Sequence, residues 1–153
     1  MATNPTPTPD TTKILARGVG EEPELSHVRD MFLNDVATAF IGAEILELSA
    51  GYCRGQFTVR PEMCNGHGIT HGGFIYTFAD SVFAGACNSF GQTAVAVHNS
   101  IHYIAPTRAG DVVEATAKVS QRWGRNGIAD VELTSNGHTI AEFRGTFRVV
   151  PKR

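Results

Sequence analysis

The apolar positions of this chain change their period along its length, and the change divides it into parts. From Gly72 to Asn88 they fall at Phe74, Ile75, Phe78, Ala79, Val82, Phe83 and Ala86. That spacing predicts an amphipathic helix sustained over about four turns. Asp80 lies off the stripe, on a flank shared with Gly73, Thr77 and Ala84. Small side chains there leave room for a ligand or a second backbone to approach.

After the helix the period becomes two. "TAVAVHNSIHYIAP" places Val95, Val97, Ile101 and Tyr103 on one expected strand face, ending at Pro106. "DVVEATAKVSQRW" sets Val113, Ala115, Ala117 and Val119 against Glu114, Thr116 and Lys118. Asn136-Gly137, between two alternating runs, predicts a tight hairpin. The last run turns Phe143, Phe147 and Val149 inward and Glu142, Arg144 and Arg148 outward.

Ahead of the helix the pattern is weaker. Pro23 opens a helical stretch with Val28, Met31, Phe32 and Val36 at near-helical spacing. One strand is expected through Ile41, Ile45 and Leu48 and another through Gln56–Val59, with Gly51 between them and Pro61 ending the second. Residues 1–22, rich in Pro, Thr and acid, read as a disordered extension. Residues 23–150 then form one domain, and a long helix with an antiparallel meander makes the fold class α+β.

Composition narrows the function. The 153 residues suffice for one domain with a real core, and 42% hydrophobic with 18% charged residues is ordinary for a soluble globular protein. Thirteen Lys and Arg against 15 Asp and Glu leave a net charge of -2, with no footprint for nucleic acid or an anionic membrane. No apolar run is long enough to span a bilayer, and "MATNPTPTPDTTK" lacks the apolar core of a secretory signal. Cys53, Cys64 and Cys87 are odd in number and have no framework spacing, which predicts reduced thiols in the cytoplasm.

The chemistry concentrates in "MCNGHGITHGGFIYTFAD", residues 63–80, which admits three readings. Cys64, His67 and His71 have locally zinc-compatible spacing, but no downstream pair supplies a fourth ligand. His98 and His102, four apart in a strand, would have Cα atoms about 13 Å apart and could not share an ion. No metal is expected. Cys64 beside two histidines could be an activated thiol, yet proximity in sequence does not assemble a catalytic pair. The third reading rests on Gly72-Gly73 at the start of the helix, where unsatisfied N–H groups carry the positive end of the helix dipole. Such donors suit a carbonyl oxygen that becomes an oxyanion. Asp80, two turns on, could then act as base or nucleophile, and Asn65 could hold water or the substrate carbonyl.

Asn65, His71-Gly72-Gly73 and Asp80 together resemble the N-x5-HGG-x6-D/E pattern of hotdog-fold acyl-CoA thioesterases, most closely the phenylacetic-acid-degradation (PaaI) group. The similarity extends through "VRPEMCNGHGITHGGFIYTFADSVFAGACNS", "HYIAPTRAGD" and "AEFRGTFRV", from about residue 25 to residue 150. It implies a long helix wrapped by a curved antiparallel sheet, paired into a homodimer and then a homotetramer, with the site at the dimer interface. By the same resemblance the Gly72 amide polarises the thioester carbonyl, and Asp80 of the other subunit attacks it or activates water. Asn65 positions water or thioester, and His71 orders the loop or shares in the catalysis. No metal or bound cofactor is implied, since CoA is part of the substrate. The chain departs from some relatives at Ala84, where they place a threonine, and at Ala96, where they carry a serine.

CoA carries phosphates and an adenine, which makes Arg108, Arg122, Trp123 and Arg125 candidate contacts beside Gly73 and Ala96; a solvated turn is the plain alternative for the arginines. Two rival functions use the same scaffold. A hydratase or dehydratase pattern would place His five residues after Asp80, where Gly85 stands. A non-catalytic acyl-CoA-binding regulator would carry a DNA-binding segment and a basic surface, which this chain lacks.

Overall fold

The computed structural model describes residues 4–152. Its long helix, α3, spans Gly72–Cys87, matching the expected stripe. Ile75, Phe78, Ala79, Val82, Phe83 and Ala86 are buried, whereas Phe74 is only partly so. Asn88 closes the helix: its side-chain amide donates to the carbonyls of Ala84 and Ala94 at 3.0 and 3.1 Å and accepts from the Ala94 N–H at 2.9 Å. The end of α3 is thereby tied to the start of the next strand.

Six strands follow in chain order as β1 (Glu44–Ser49), β2 (Tyr52–Thr58), β3 (Ala94–Tyr103), β4 (Val112–Trp123), β5 (Asn126–Ser135) and β6 (His138–Val149). They form one antiparallel sheet in the order β1-β2-β4-β5-β6-β3. All six strands come against α3. A flat sheet of that size would be about 24 Å across and a helix only about 10 Å wide, so the sheet must curl around it. Phe57 meets Phe78, and Phe83 meets Phe143 and Phe147, at centroid distances of 4.8, 5.5 and 6.4 Å. Asn136 and Gly137 both take positive φ, 52° and 76°, the geometry of a two-residue hairpin turn that follows the strand twist.

Three expectations change. The stretch read as disordered is held from Ile14 onward: Ile14 is 1% exposed, and the Ile14–Ala16 backbone bonds to both polar groups of Ile45 on the outer edge of β1. Its apolar Ile14, Leu15 and Val19 find tertiary partners that composition could not anticipate. Ile41 caps the short helix α2 (Val36–Phe40), which follows α1 (Ser26–Leu33), rather than opening a strand.

The third change concerns β3. A bulge at Val97, between the pairs Ala96–Phe147 and His98–Thr146, inserts one residue and splits the expected face. Val95 pairs with the outward Arg148, whereas Ile101 and Tyr103 pair with the inward Phe143 and Ala141. The bulge brings Asn99 inward too, opposite Gly145.

Candidate active site

The loop before α3 is braced at both ends. Cys64 and Thr70 pair across its base, the buried hydroxyls of Thr70 and Thr107 lie 2.7 Å apart, and His71 N–H donates to Met63 C=O at 2.8 Å. Inside the loop Asn65 Oδ1 accepts from the amides of His67 and Ile69 at 2.9 and 3.4 Å. Its oxygen is committed to the turn, which leaves the Nδ2 hydrogens free to donate. Arg108 belongs to this brace, with its guanidinium 3.3 Å from Gly68 C=O.

His71 caps α3. Its Nδ1 accepts from Gly73 N–H at 3.1 Å, which requires that nitrogen to carry no proton. His71 C=O takes the Phe74 N–H at 3.0 Å. With Gly73 and Phe74 satisfied, the Gly72 N–H at the head of the helix has no acceptor among the described residues. Tyr103 fixes the same glycine from outside, its hydroxyl donating to Gly72 C=O at 3.0 Å. A Cβ at residue 72 would stand 3.0 Å from Tyr103 Cζ, so a side chain there has to push the ring aside. Gly72, Asn65, Tyr103, Ile75, Ile104 and Ile140 help to line a pocket of about 400 Å³.

Asp80 is half-buried on α3 and does not reach that pocket. Eight residues at 1.5 Å separate it from Gly72 by about 12 Å along the helix. Burial pushes its carboxyl above the usual range; the Asn99 hydrogen bond, 3.5 Å long, works against that rise, and the charge of Asp35 adds to it. Asp35 stands at the start of α2, where Thr38 donates to it from N–H and hydroxyl at 2.9 and 2.5 Å. Thr38 and Ser81, both buried, join α2 to α3 through hydroxyls 2.7 Å apart.

The structure thus gathers Asn65, His71, Gly72 and Gly73 at the helix entrance, with Arg108 behind them. Ala96 lies on β3 opposite Phe147. Arg122, Trp123 and Arg125 lie at the β4–β5 turn, with Arg122 stacked on Phe90 at 3.8 Å beyond the far end of α3. That end is about 24 Å from Gly72, so these three do not join the helix-entrance site within one chain. Cys64 Sγ lies 4.0 Å from Arg60 C=O, and burial pushes the Cys53 and Cys87 thiols up. Among the described residues no three His, Cys, Asp or Glu are grouped to hold a metal, and no helix is long and apolar enough to cross a membrane. Asn99, which bonds to Asp80, and Tyr103, which bonds to Gly72, are candidate residues that pattern reading missed. The polar His98-Asn99-Ser100 within an apolar strand was the available signal.

One helix enclosed by a curled antiparallel sheet is the hotdog architecture, and the class of enzyme it defines here is the thioester hydrolase. The chain belongs to the thioesterase superfamily, whose model matches residues 67–142. It is 38% identical over 116 residues to the acyl-coenzyme A thioesterase PaaI of Escherichia coli, covering 75% of this chain and 83% of the relative. The solved E. coli PaaI structure superposes with a TM-score of 0.81 at 34% identity, over 84% of this chain and 94% of that one. A mutant of the phenylacetic acid degradation protein PaaI from Thermus thermophilus gives 0.74 at 36% identity, over 76% and 100%.

Proposed function

We propose that this chain hydrolyses the thioester of (hydroxy)phenylacetyl-CoA, or of a related aryl or medium-chain acyl-CoA, to the free acid and CoA. The observation that carries the reading is the Gly72 amide, without an acceptor among the described residues, on the same helix as a carboxylate about 12 Å away. One carbonyl cannot touch both groups of a single chain, whereas a second copy can present its Asp80 to the Gly72 of the first. β3 supports such pairing: it is a ten-residue edge strand with Val95 and Val97 45% and 52% exposed and unpaired backbone along one side. We place the enzyme as a homodimer that doubles into a tetramer, in the cytoplasm, with no resident metal or cofactor.

In this reading the Gly72 N–H donates to the thioester oxygen, and the bond strengthens as that oxygen becomes an oxyanion. Asp80 removes a proton from water, or attacks the carbonyl itself and is freed by water afterwards. A C–O bond forms, the C–S bond breaks, and the CoA sulfur leaves as thiolate and takes up a proton. Asn65 directs its free Nδ2 at water or thioester, and His71 keeps the Gly73 amide occupied. The apolar side of the pocket, Ile75, Ile104 and Ile140, suits an aryl or alkyl group, in keeping with the PaaI relatives.

The test is CoA release from phenylacetyl-, hydroxyphenylacetyl-, benzoyl- and medium-chain acyl-CoA by wild type and Asp80→Asn. Turnover by wild type and its collapse in the variant are expected. Wild-type inactivity on every substrate, or an equally active variant, would sink the mechanism. An enoyl-CoA hydration assay on the same samples decides against or for the hydratase alternative.

A further inference from the structure

Asp80 receives its one hydrogen bond among the described residues from a strand that reaches it through two coincidences of backbone. The bulge at Val97 shifts the register of β3, so that Asn99 rather than His98 turns toward α3. Asn99 also pairs with Gly145 on β6, where an added Cβ would stand 2.6 Å from Asn99 Oδ1 and 2.5 Å from Phe83 Cε2. The missing side chain at 145 is the slot into which the Asn99 amide fits.

The same strand touches α3 at two points. Asn99 meets Asp80, and Tyr103 meets Gly72. Four strand residues span about 13 Å and eight helix residues about 12 Å, so the two spacings match. The bulge therefore registers β3 against both groups proposed to act on the thioester.

Asn99 is also in an environment that stability alone does not favour. Its Oδ1 is buried and has no hydrogen-bond partner. A leucine of similar shape would remove that orphaned oxygen, at the cost of the donor to Asp80. From the register, the slot and the orphaned oxygen we infer that Asn99 is a positioning residue, which holds the Asp80 carboxylate in its reactive orientation by donating Nδ2–H to Oδ1. The inference rests on the assignment of Asp80 under Proposed function. The other ionisable groups facing Asp80 are Asp35, ahead of α2, and Cys87, on α3 itself. Neither can replace a neutral donor, and the burial and Asp35 charge that Asn99 opposes remain when it is removed.

The experiment is the pH dependence of kcat and kcat/KM for wild type, Asn99→Leu and Asn99→Ala, with Asp80→Asn as control and thermal unfolding of all four. Losing a donor to a carboxylate raises its pKa, so the acid limb should move to higher pH by about half a unit or more in both Asn99 variants. Their kcat should fall about tenfold, the weight of one hydrogen bond to a charged group. Asn99→Leu trades the orphaned oxygen for the lost donor to Asp80, so its unfolding temperature should stay near that of wild type while kcat and the acid limb move, a split that a purely structural asparagine would not give. If Asn99→Leu fails to fold, Asn99→Ala carries the same kinetic test. An unmoved acid limb with rates within about twofold of wild type overturns the role of Asn99 while an inactive Asp80→Asn leaves the thioesterase mechanism standing. A fully active Asp80→Asn overturns both.

Discussion

At the entrance of α3 nearly every polar group is spoken for: His71 caps Gly73, Asn65 closes the loop, Thr70 and Thr107 lock its base, and Tyr103 holds the Gly72 carbonyl. Among the described residues the Gly72 N–H and the Asn65 Nδ2 hydrogens are left without acceptors. Two turns further on, Asp80 has one long hydrogen bond, a neighbouring carboxylate in Asp35, and a donor whose own oxygen is orphaned. In the proposed mechanism the first region stabilises charge without moving, as an oxyanion donor requires. The second stores unfavourable electrostatics within one chain, which the proposal explains by surroundings completed by substrate and a second subunit.

Removing the carboxylate breaks the contrast most severely. Asp80→Asn should lower kcat by about 10³-fold, the scale of a lost general base. The same change should stabilise the fold at neutral pH. A carboxyl whose pKa is raised on folding supports stability below its unfolded pKa and loses that support as pH rises through the folded value. The Tm of Asp80→Asn should therefore exceed that of wild type at pH 7, and the two should converge toward pH 4, near the ordinary carboxylate value of 3.8. Parallel thermal scans across this range check the sign.

The entrance should respond in the opposite sense. Gly72→Ala forces the Tyr103 ring away from its 3.0 Å contact, so both kcat, by about 10²-fold, and Tm should fall. Adding Tyr103→Ala should return much of the lost stability and little of the activity, as a double-mutant cycle would read. Thr38→Val, at the joint between α2 and α3, leaves Asp35 and Ser81 without their shared hydroxyl and should cost about 1–3 kcal/mol in urea unfolding. Tyr103→Phe, which removes one exposed hydroxyl from Gly72 C=O, should be mildest: about 0.5–1.5 kcal/mol, with kcat reduced by about two- to threefold.

The parts legible in the sequence are those governed by local rules. The stripe of α3, the alternation of β4 and β6 and the Asn136-Gly137 turn depend on residues close to one another in the chain. Asn65, Gly72 and Asp80 could be named as candidates because the helix start and the resemblance bring them together. The bulge in β3 was not, since an extra residue at Val97 shows only against its partner strand β6. Asn99 shares the face of Ile101 and Tyr103 by plain alternation, but no local rule records that its amide fits beside Gly145 and reaches Asp80. Which of two adjacent glycines keeps a free amide depends on where one imidazole points, and no spacing records that. Ile14 was lost in a Pro/Thr-rich context, because a single apolar side chain becomes core only through contacts made elsewhere.

The two borders of the sheet have different fates. Along β1 the chain's own residues Ile14–Ala16 take up the Ile45 backbone groups, with Ile45 N–H to Ile14 C=O at 2.6 Å and Ala16 N–H to Ile45 C=O at 2.9 Å. Along β3 nothing among the described residues does so. A second copy joining edge to edge at β3 would leave a merged sheet whose outer borders are both covered at Ile45 by their own N-terminal segments. Head-to-tail extension into filaments has no docking edge at that point, where the N-terminal segment occupies the place of an added strand.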